Sequence, residues 1–203
     1  MMNICMGRRP RRPVKYKEMV TMHYATIKEC DVANGPGVRV SVFVSGCNHH
    51  CKGCFNEVAW NFDYGEQFTQ ETIDKVLKDL DHDYIEGLSL LGGEPLEYQN
   101  QKGLLPLVRQ VKEKFPNKTI WCYTGFDFEK DVMGKMYGTW DETKELISDI
   151  DVIVDGKFEL EKKNPSLKFR GSENQRLIDV QKSVKENKII WADLEDEENK
   201  KAN

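Results

Sequence analysis

Apolar residues follow two different periods, which alternate along the chain. Between residues 38 and 44 a valine stands at every second position, and this pattern predicts a β-strand. Between residues 73 and 80 apolar side chains recur every three or four positions after Thr69, which predicts a helix capped by that threonine. The alternation continues toward the C-terminus and predicts the parallel β–α–β units of an α/β fold.

The remaining elements follow from the same two patterns. Further strands are predicted at residues 23–27, 88–91, 119–123, 151–154, 177–180 and 189–191. Further helices are predicted at residues 104–115, which Pro116 ends, and at 142–150. We expect residues 21–192 to form one domain, with a basic, disordered leader over 1–20 and a charged tail over 193–203.

Four clusters of polar residues and glycines each follow the end of a predicted strand. They are the cysteine-rich residues 45–55, the Gly-Gly-Glu run at 92–94, and the segments 123–126 and 155–157. Carboxyl ends of parallel strands gather at one rim of a barrel or an open sheet. We therefore expect the four clusters to face one cleft and to form an active site there.

Composition narrows the classes of function. The 203 residues carry a formal net charge of −4, and no apolar run is long enough to span a bilayer. Nothing resembles a secretory signal, so we expect a cytoplasmic protein with neither nucleic acid nor membrane as its main partner. Six cysteines then favour metal or redox chemistry over a disulfide framework. Cys5, Cys30 and Cys122 are scattered, and we expect them to be ordinary thiols.

The other three cysteines, Cys47, Cys51 and Cys54, share one loop with the spacing C-x3-C-x2-C. Three thiolates can hold three corners of an iron–sulfur cluster and leave the fourth iron open to a substrate or cofactor. With His49 or His50 as a fourth ligand, the same loop could instead form a closed zinc site. A simple electron carrier is less suitable, since such proteins normally supply four cysteines.

The Gly-Gly-Glu run also has two interpretations. Gly92 and Gly93 could bring the backbone close to a ligand, because no Cβ stands in the way. Glu94 could then pair with the amine of an amino-acid moiety that chelates the open iron, and Lys157 could meet its carboxylate. Without the other clusters, the same residues fit a tight turn after one strand, and Asp155 and Lys157 fit a polar turn after another.

These motifs together resemble a known family. The cysteine triplet followed by Phe55, with the residues Gly-Gly-Glu-Pro at 92–95, is similar to the radical S-adenosylmethionine enzymes. Segments 123–126, 151–159 and 170–176 resemble, more specifically, the activating proteins of anaerobic (class III) ribonucleoside-triphosphate reductase. The similarity covers residues 22–191. It implies a partial, open TIM-like βα barrel of the radical S-adenosylmethionine type.

The resemblance also implies the roles of individual residues. Cys47, Cys51 and Cys54 would be the catalytic residues that ligate a [4Fe–4S] cluster. The residues implied to bind S-adenosylmethionine are Gly53, Cys54, Phe55, Gly92, Gly93, Glu94, Asp155 and Lys157. The resemblance leaves open the individual roles of Arg170, Asn174 and Arg176, and of strand residues 122–124.

The activity implied is reductive cleavage of S-adenosylmethionine to methionine and a 5′-deoxyadenosyl radical. This radical would take hydrogen from a glycine of the large subunit of the reductase, with electrons from a low-potential donor such as a flavodoxin. A short chain without a second cysteine cluster suits a macromolecular substrate. The alternatives are an activase of another glycyl-radical enzyme such as pyruvate formate-lyase, a small enzyme acting on a pterin-like metabolite, and a zinc-stabilised binding module.

Overall fold

One mixed β-sheet of seven strands organises the chain in the computed structural model, which describes residues 21–194. The strands are β1 (His23–Asp31), β2 (Val38–Val44), β3 (Glu66–Gln67), β4 (Ile85–Gly92), β5 (Thr119–Tyr123), β6 (Val152–Asp155) and β7 (Arg176–Asp179). They lie in the order β3-β1-β2-β4-β5-β6-β7. The neighbours β2, β4, β5 and β6 are parallel, whereas β1, β3 and β7 pair antiparallel at the two edges.

Five α-helices accompany the sheet within the described residues. They are α1 (Gln70–Leu80), α2 (Tyr98–Lys114), α3 (Tyr137–Thr139), α4 (Asp141–Asp149) and α5 (Val180–Glu186). The predicted cap of α1 is confirmed, because the Thr72 amide donates to the Thr69 hydroxyl at 3.4 Å. None of the helices in residues 21–194 has the length and apolar character needed to cross a bilayer.

The connecting helices cover one face of the sheet. The parallel strands follow one another in the sheet in chain order, so right-handed crossovers place α1, α2 and α4 on the same side. The main apolar core lies between these helices and the strands. It includes Val40, Val42, Leu88, Leu90, Ile120 and Ile153 from the strands, and Ile73, Leu77, Leu104, Leu107 and Leu146 from the helices.

The opposite face of the sheet is buried as well. Arg39 alternates with the valines of β2, yet it is as fully buried as Val40, Val42 and Val44. Its guanidinium donates to the Ser89 hydroxyl at 2.8 Å and to the Thr119 hydroxyl at 2.9 Å, so it ties β2 to β4 and β5. Gly87 leaves room for it, since a Cβ there would lie 2.9 Å from Arg39 Nη2. The interior of the fold therefore continues beyond the sheet.

The predicted α/β class is confirmed, with corrections to individual elements. Residues 128–139, for which the patterns predicted nothing, form a π-helical segment (Phe128–Met136) that runs into α3. The predicted strand at 177–180 ends one residue earlier, because α5 begins at Val180. The predicted strand at 189–191 is wrong, since only a single bridge joins Trp191 to Ile178. The predicted leader and most of the predicted tail lie outside the described residues. Leu194, at the start of the predicted tail, packs beside the apolar cluster around Trp121, on the face of the sheet opposite the helices.

Candidate functional site

The cysteine loop is anchored at the carboxyl end of β2. The Gly46 amide donates to the Ala59 carbonyl at 2.8 Å, and the Cys47 amide donates to the Trp60 carbonyl at 3.1 Å. Ala59 and Trp60 end a short 3-10 helix (Glu57–Trp60) that follows the last cysteine, so the loop closes on its own start. Cys47 is buried as a result, whereas Cys51 and Cys54 are half-buried.

Each of the three sulfur atoms has at least one backbone amide near it. These amides belong to His49 and His50 for Cys47, to Phe158 for Cys51 and to Asn56 for Cys54, the last at an N–Sγ distance of 3.4 Å. Hydrogen bonds of this kind stabilise the thiolate form, and they are one of the factors that set the potential of an iron–sulfur cluster. The local backbone is therefore suited to negative charge on sulfur.

Burial acts in the opposite direction on two of the thiols. It raises the pKa of Cys47 to about 11, and the carboxylate of Glu94 adds to the shift. Burial likewise raises the pKa of Cys51. Thiols with raised pKa values carry their protons at neutral pH, so a bound metal must displace those protons.

A cavity of about 450 Å³ opens beside the cysteine loop. This volume lies within the range of about 300–1,000 Å³ that is usual for small-molecule and cofactor sites. The predicted site residues on its wall are Cys47, Cys51, Gly53, Cys54, Phe55, Gly92, Gly93 and Glu94. Asp155 and Lys157 are not on the wall, although their neighbours Gly156 and Phe158 are. The structure thus brings together the predicted site residues that follow β2 with those at the end of β4.

Gly92 and Gly93 bring two strand ends close to each other. Gly92 has a φ of +113°, and a Cβ on it would lie 2.7 Å from the backbone of Phe43 in β2. A Cβ on Gly93 would lie 2.6 Å from the carbonyl oxygen of Gly46. The sequence predicts that the two glycines leave room for a ligand, but their closest neighbours in the structure are backbone atoms of β2 and the cysteine loop. Because Gly92 and Gly93 have no side chains, the turn after β4 can pack closely against β2 and the cysteine loop.

The inner wall of the cavity contains a residue whose role the sequence did not predict. The Tyr123 ring lies on the face of β5 that points away from the helices, beside the cluster around Trp121. Its hydroxyl has no hydrogen-bond partner within the described part of the chain. Burial raises the pKa of this phenol, which is therefore a neutral hydroxyl at physiological pH. Ala33 and Asn34, from the loop between β1 and β2, line the same part of the cavity.

Comparison with known proteins decides the family. A family model described as a 4Fe-4S single cluster domain matches residues 33–178. Proteins named anaerobic ribonucleoside-triphosphate reductase-activating protein are similar over most of the chain. The one from Enterobacteria phage T4 is 45% identical over 157 residues, which are 77% of this chain and 93% of the phage protein.

Relatives of the same name occur in bacteria. The protein from Vibrio cholerae serotype O1 is 44% identical over 157 residues, covering 76% of this chain and 96% of its own length. The protein from Escherichia coli K12 is 39% identical over 156 residues, covering 76% and 96%. The chain belongs to the anaerobic ribonucleoside-triphosphate reductase-activating protein family. The resemblance inferred from the motifs is thereby confirmed.

The segment that pointed to this family, residues 170–176, forms part of the cavity wall. The side-chain nitrogen Nε2 of Gln175 donates to the Gly156 carbonyl at 3.0 Å, and the side-chain nitrogen Nδ2 of Asn174 donates to the Lys157 carbonyl at 2.8 Å. Arg170 donates to the Gln175 carbonyl at 2.6 Å. Arg170, Gly171 and Gln175 line the cavity. The family signature therefore fastens this wall to the turn that follows β6.

Asp155 has its partner in the same family signature. Its carboxylate, 1% exposed, accepts hydrogen bonds from Arg176 Nε at 3.0 Å and Nη2 at 2.5 Å. It also accepts one from the Phe128 amide at 2.9 Å. Lys157 is exposed, and its positive charge lowers the pKa of the Cys51 thiol, against the rise that burial causes. Contact of either residue with a cofactor stays a prediction.

Both histidines of the cysteine loop have other partners. His49 Nε2 lies 2.9 Å from the carboxylate of Glu94, and the His50 ring stacks on Trp60 at 4.6 Å. Among the described residues, no three His, Cys, Asp or Glu side chains are grouped so that they could hold a single ion. A Cys3His zinc site would therefore require the loop to rearrange. A cluster binds each thiolate to a different iron, and three thiols on one cavity wall fit that arrangement.

Proposed function

We propose that the chain is a radical S-adenosylmethionine oxidoreductase that activates anaerobic ribonucleoside-triphosphate reductase. Cys47, Cys51 and Cys54 would hold a [4Fe–4S] cluster, and S-adenosylmethionine would bind its fourth iron within the cavity. The observation that carries this proposal is the shared wall: all three thiols and the Gly-Gly-Glu turn line one cavity of suitable volume. The names of the relatives supply the protein substrate.

When held by Cys47, Cys51 and Cys54, a [4Fe–4S] cluster would supply the electron for reductive cleavage of S-adenosylmethionine to methionine and a 5′-deoxyadenosyl radical, and that radical would take hydrogen from a glycine of the reductase. The chain's own residues hold and enclose these groups. Amides directed at the three sulfurs stabilise the thiolates, and the Gly-Gly-Glu turn fixes the wall beside them. Tyr123 and three residues of the segment 170–176, Arg170, Gly171 and Gln175, form other parts of the wall.

We further propose that the sheet is the open, TIM-like barrel expected of this superfamily. The inner face carries rows of side chains from successive strands. One such row, in register across β2, β4, β5 and β6, consists of Ser41, Ser89, Trp121 and Val152. Barrels likewise fill their interior with side chains that their strands direct inward. The shared right-handed crossovers, with all connecting helices outside, also support the proposal.

A protein substrate agrees with the surface beside the cavity. Phe55, directly after the last cysteine, has 83% of its surface exposed, and Leu160, which lies beside Gly53, has 39% exposed. Exposed apolar side chains at the rim of a site are typical of surfaces that bind another protein. We propose that the large subunit of the reductase docks here and that a low-potential donor such as a flavodoxin supplies electrons.

A cytoplasmic location stays a prediction, which fractionation of cells would test.

Two anaerobic assays test the function. The reconstituted protein, reduced with dithionite, should convert S-adenosylmethionine to methionine and 5′-deoxyadenosine, whereas a zinc-binding module would not. Mixed with the reductase, it should produce the doublet of a glycyl radical in electron paramagnetic resonance. A doublet with pyruvate formate-lyase, and none with the reductase, would assign the chain to the alternative activase.

A further inference from the structure

The carboxylate of Glu94 joins three of the loops at the rim. It is 1% exposed, and its Oε1 accepts hydrogen bonds from the Leu96 amide and the Thr124 hydroxyl, both at 2.8 Å. Its Oε2 accepts one from the Gly125 amide at 2.7 Å and lies 2.9 Å from His49 Nε2. A carboxylate has about four acceptor positions, so these four donors saturate it.

His49 is the donor that comes from the cysteine loop. Its side chain is 9% exposed, and its ring lies edge-on to Phe126 with centroids 4.4 Å apart. A Cβ on Gly125 would lie only 2.4 Å from the imidazole, so the glycine provides the space that the ring fills. His50 points elsewhere and stacks on Trp60. The two adjacent histidines therefore form a matched pair for experiment.

We propose that His49 is a positioning residue that sets the cysteine loop and the Glu94 carboxylate relative to each other for cofactor binding. This role rests on the proposed function. Without the imidazole donor, one acceptor position of a buried carboxylate is unsatisfied. The cysteine loop also loses the buried one of its side-chain bonds to the turn that follows β4, and keeps the exposed bond from Asn48 to Glu97 at 2.9 Å. Because the four internal donors leave the Glu94 carboxylate no acceptor position for the cofactor, the hydrogen bond acts by holding the cysteine loop against the turn that follows β4.

Three variants separate the hydrogen bond from the packing of the ring. His49→Phe keeps an aromatic ring against Phe126 and Gly125 but removes the donor. His49→Gln places an amide nitrogen near the position of Nε2 and restores the donor. His50→Phe is the control, because that ring has only a stacking partner at Trp60. A hydrogen bond to a charged group corresponds to about ten- to a hundredfold in an equilibrium constant, and this is the upper bound on the loss of affinity, because the bond forms within the protein and not to the cofactor.

The test measures binding and spectrum on the reconstituted protein. Isothermal titration under anaerobic conditions gives the affinity for S-adenosylmethionine, and electron paramagnetic resonance records the change it causes in the reduced cluster. We expect His49→Phe to bind about tenfold more weakly or worse, with a smaller spectral change. His49→Gln should lie within about threefold of wild type, a difference smaller than that of one hydrogen bond. His50→Phe should match wild type.

Two results would overturn the positioning role. One is wild-type affinity and spectrum in His49→Phe. The other is an equal loss in the Phe and Gln variants, which would assign the effect to the shape of the ring. Failure of the proposed function is distinguishable, because the wild-type protein would then neither bind nor cleave S-adenosylmethionine.

Discussion

Replacing Arg176 by methionine tests how the end of β6 is held in place. The guanidinium makes two hydrogen bonds to Asp155, whose side chain is 1% exposed, while its own side chain is 25% exposed. Pairing with Asp155 raises the pKa of Arg176. Without the arginine, the described residues leave the buried carboxylate only the Phe128 amide as a donor.

The expected cost follows from this geometry. Removing one partner of a fully buried ion pair costs about 3–5 kcal/mol, because an uncompensated charge is left in the interior. Arg176 is partly exposed and also contacts Glu129 at 3.0 Å, so solvent already screens part of the pair. We therefore expect Arg176→Met to lower the free energy of unfolding by about 3 kcal/mol, at the lower end of that range. Adding Asp155→Leu should recover part of the loss, since no charge is then left buried.

Urea denaturation of the full-length chain, followed by circular dichroism, measures the effect. Lys75→Met is the control, because Lys75 pairs with Glu29 at the surface, where both side chains are at least half exposed. Its midpoint should not move. If Arg176→Met lowers the free energy of unfolding by less than about 1 kcal/mol, the value of a surface pair, Arg176 does not compensate a buried charge on Asp155. A double variant that is no more stable than the single one would mean the same.

Three further substitutions test the packing and the ligands. Gly87→Ala would place a Cβ 1.9 Å from the Thr119 carbonyl oxygen, so it should lower the free energy of unfolding by about 3 kcal/mol; an unchanged urea midpoint would contradict this contact. Tyr123→Phe removes a hydroxyl without a partner in the described residues, so stability should stay the same or rise by up to about 1 kcal/mol. A clear loss of stability would mean that the hydroxyl has a partner after all. Cys51→Ala should prevent iron uptake on anaerobic reconstitution, whereas the exposed Cys30→Ala should retain it; iron retained by Cys51→Ala would exclude it as a ligand.

Local patterns predicted the frame of the fold and the location of the site. The valine alternation at 38–44 marks a strand because every second residue faces the helix-covered core. The four strand-end clusters indicated a common rim, and β2, β4, β5 and β6 do lie side by side. The strands follow from local periodicity, and their common rim follows from the rule that parallel strands end at one edge of a sheet. The use of this rim as an active site stays a prediction.

Contacts between distant residues could not be predicted in this way. Arg39 bonds to Ser89 and Thr119, which are 50 and 80 positions away, so the valine pattern gives no sign that both faces of β2 are buried. Gly93 illustrates the same limit, because its close neighbour Gly46 belongs to another loop. A charged residue inside an apolar alternation was the available signal for Arg39.

We propose that one iron of the cluster has no protein ligand and binds S-adenosylmethionine directly. Electron–nuclear double resonance on the reduced, reconstituted protein tests this with S-adenosylmethionine labelled with nitrogen-15 at its amine. We predict a coupling between the labelled nitrogen and the cluster, and its loss when unlabelled S-adenosylmethionine replaces the labelled form. A colourless protein with zinc bound by Cys47, Cys51, Cys54 and an imidazole, or a cluster without any such coupling, would contradict the claim.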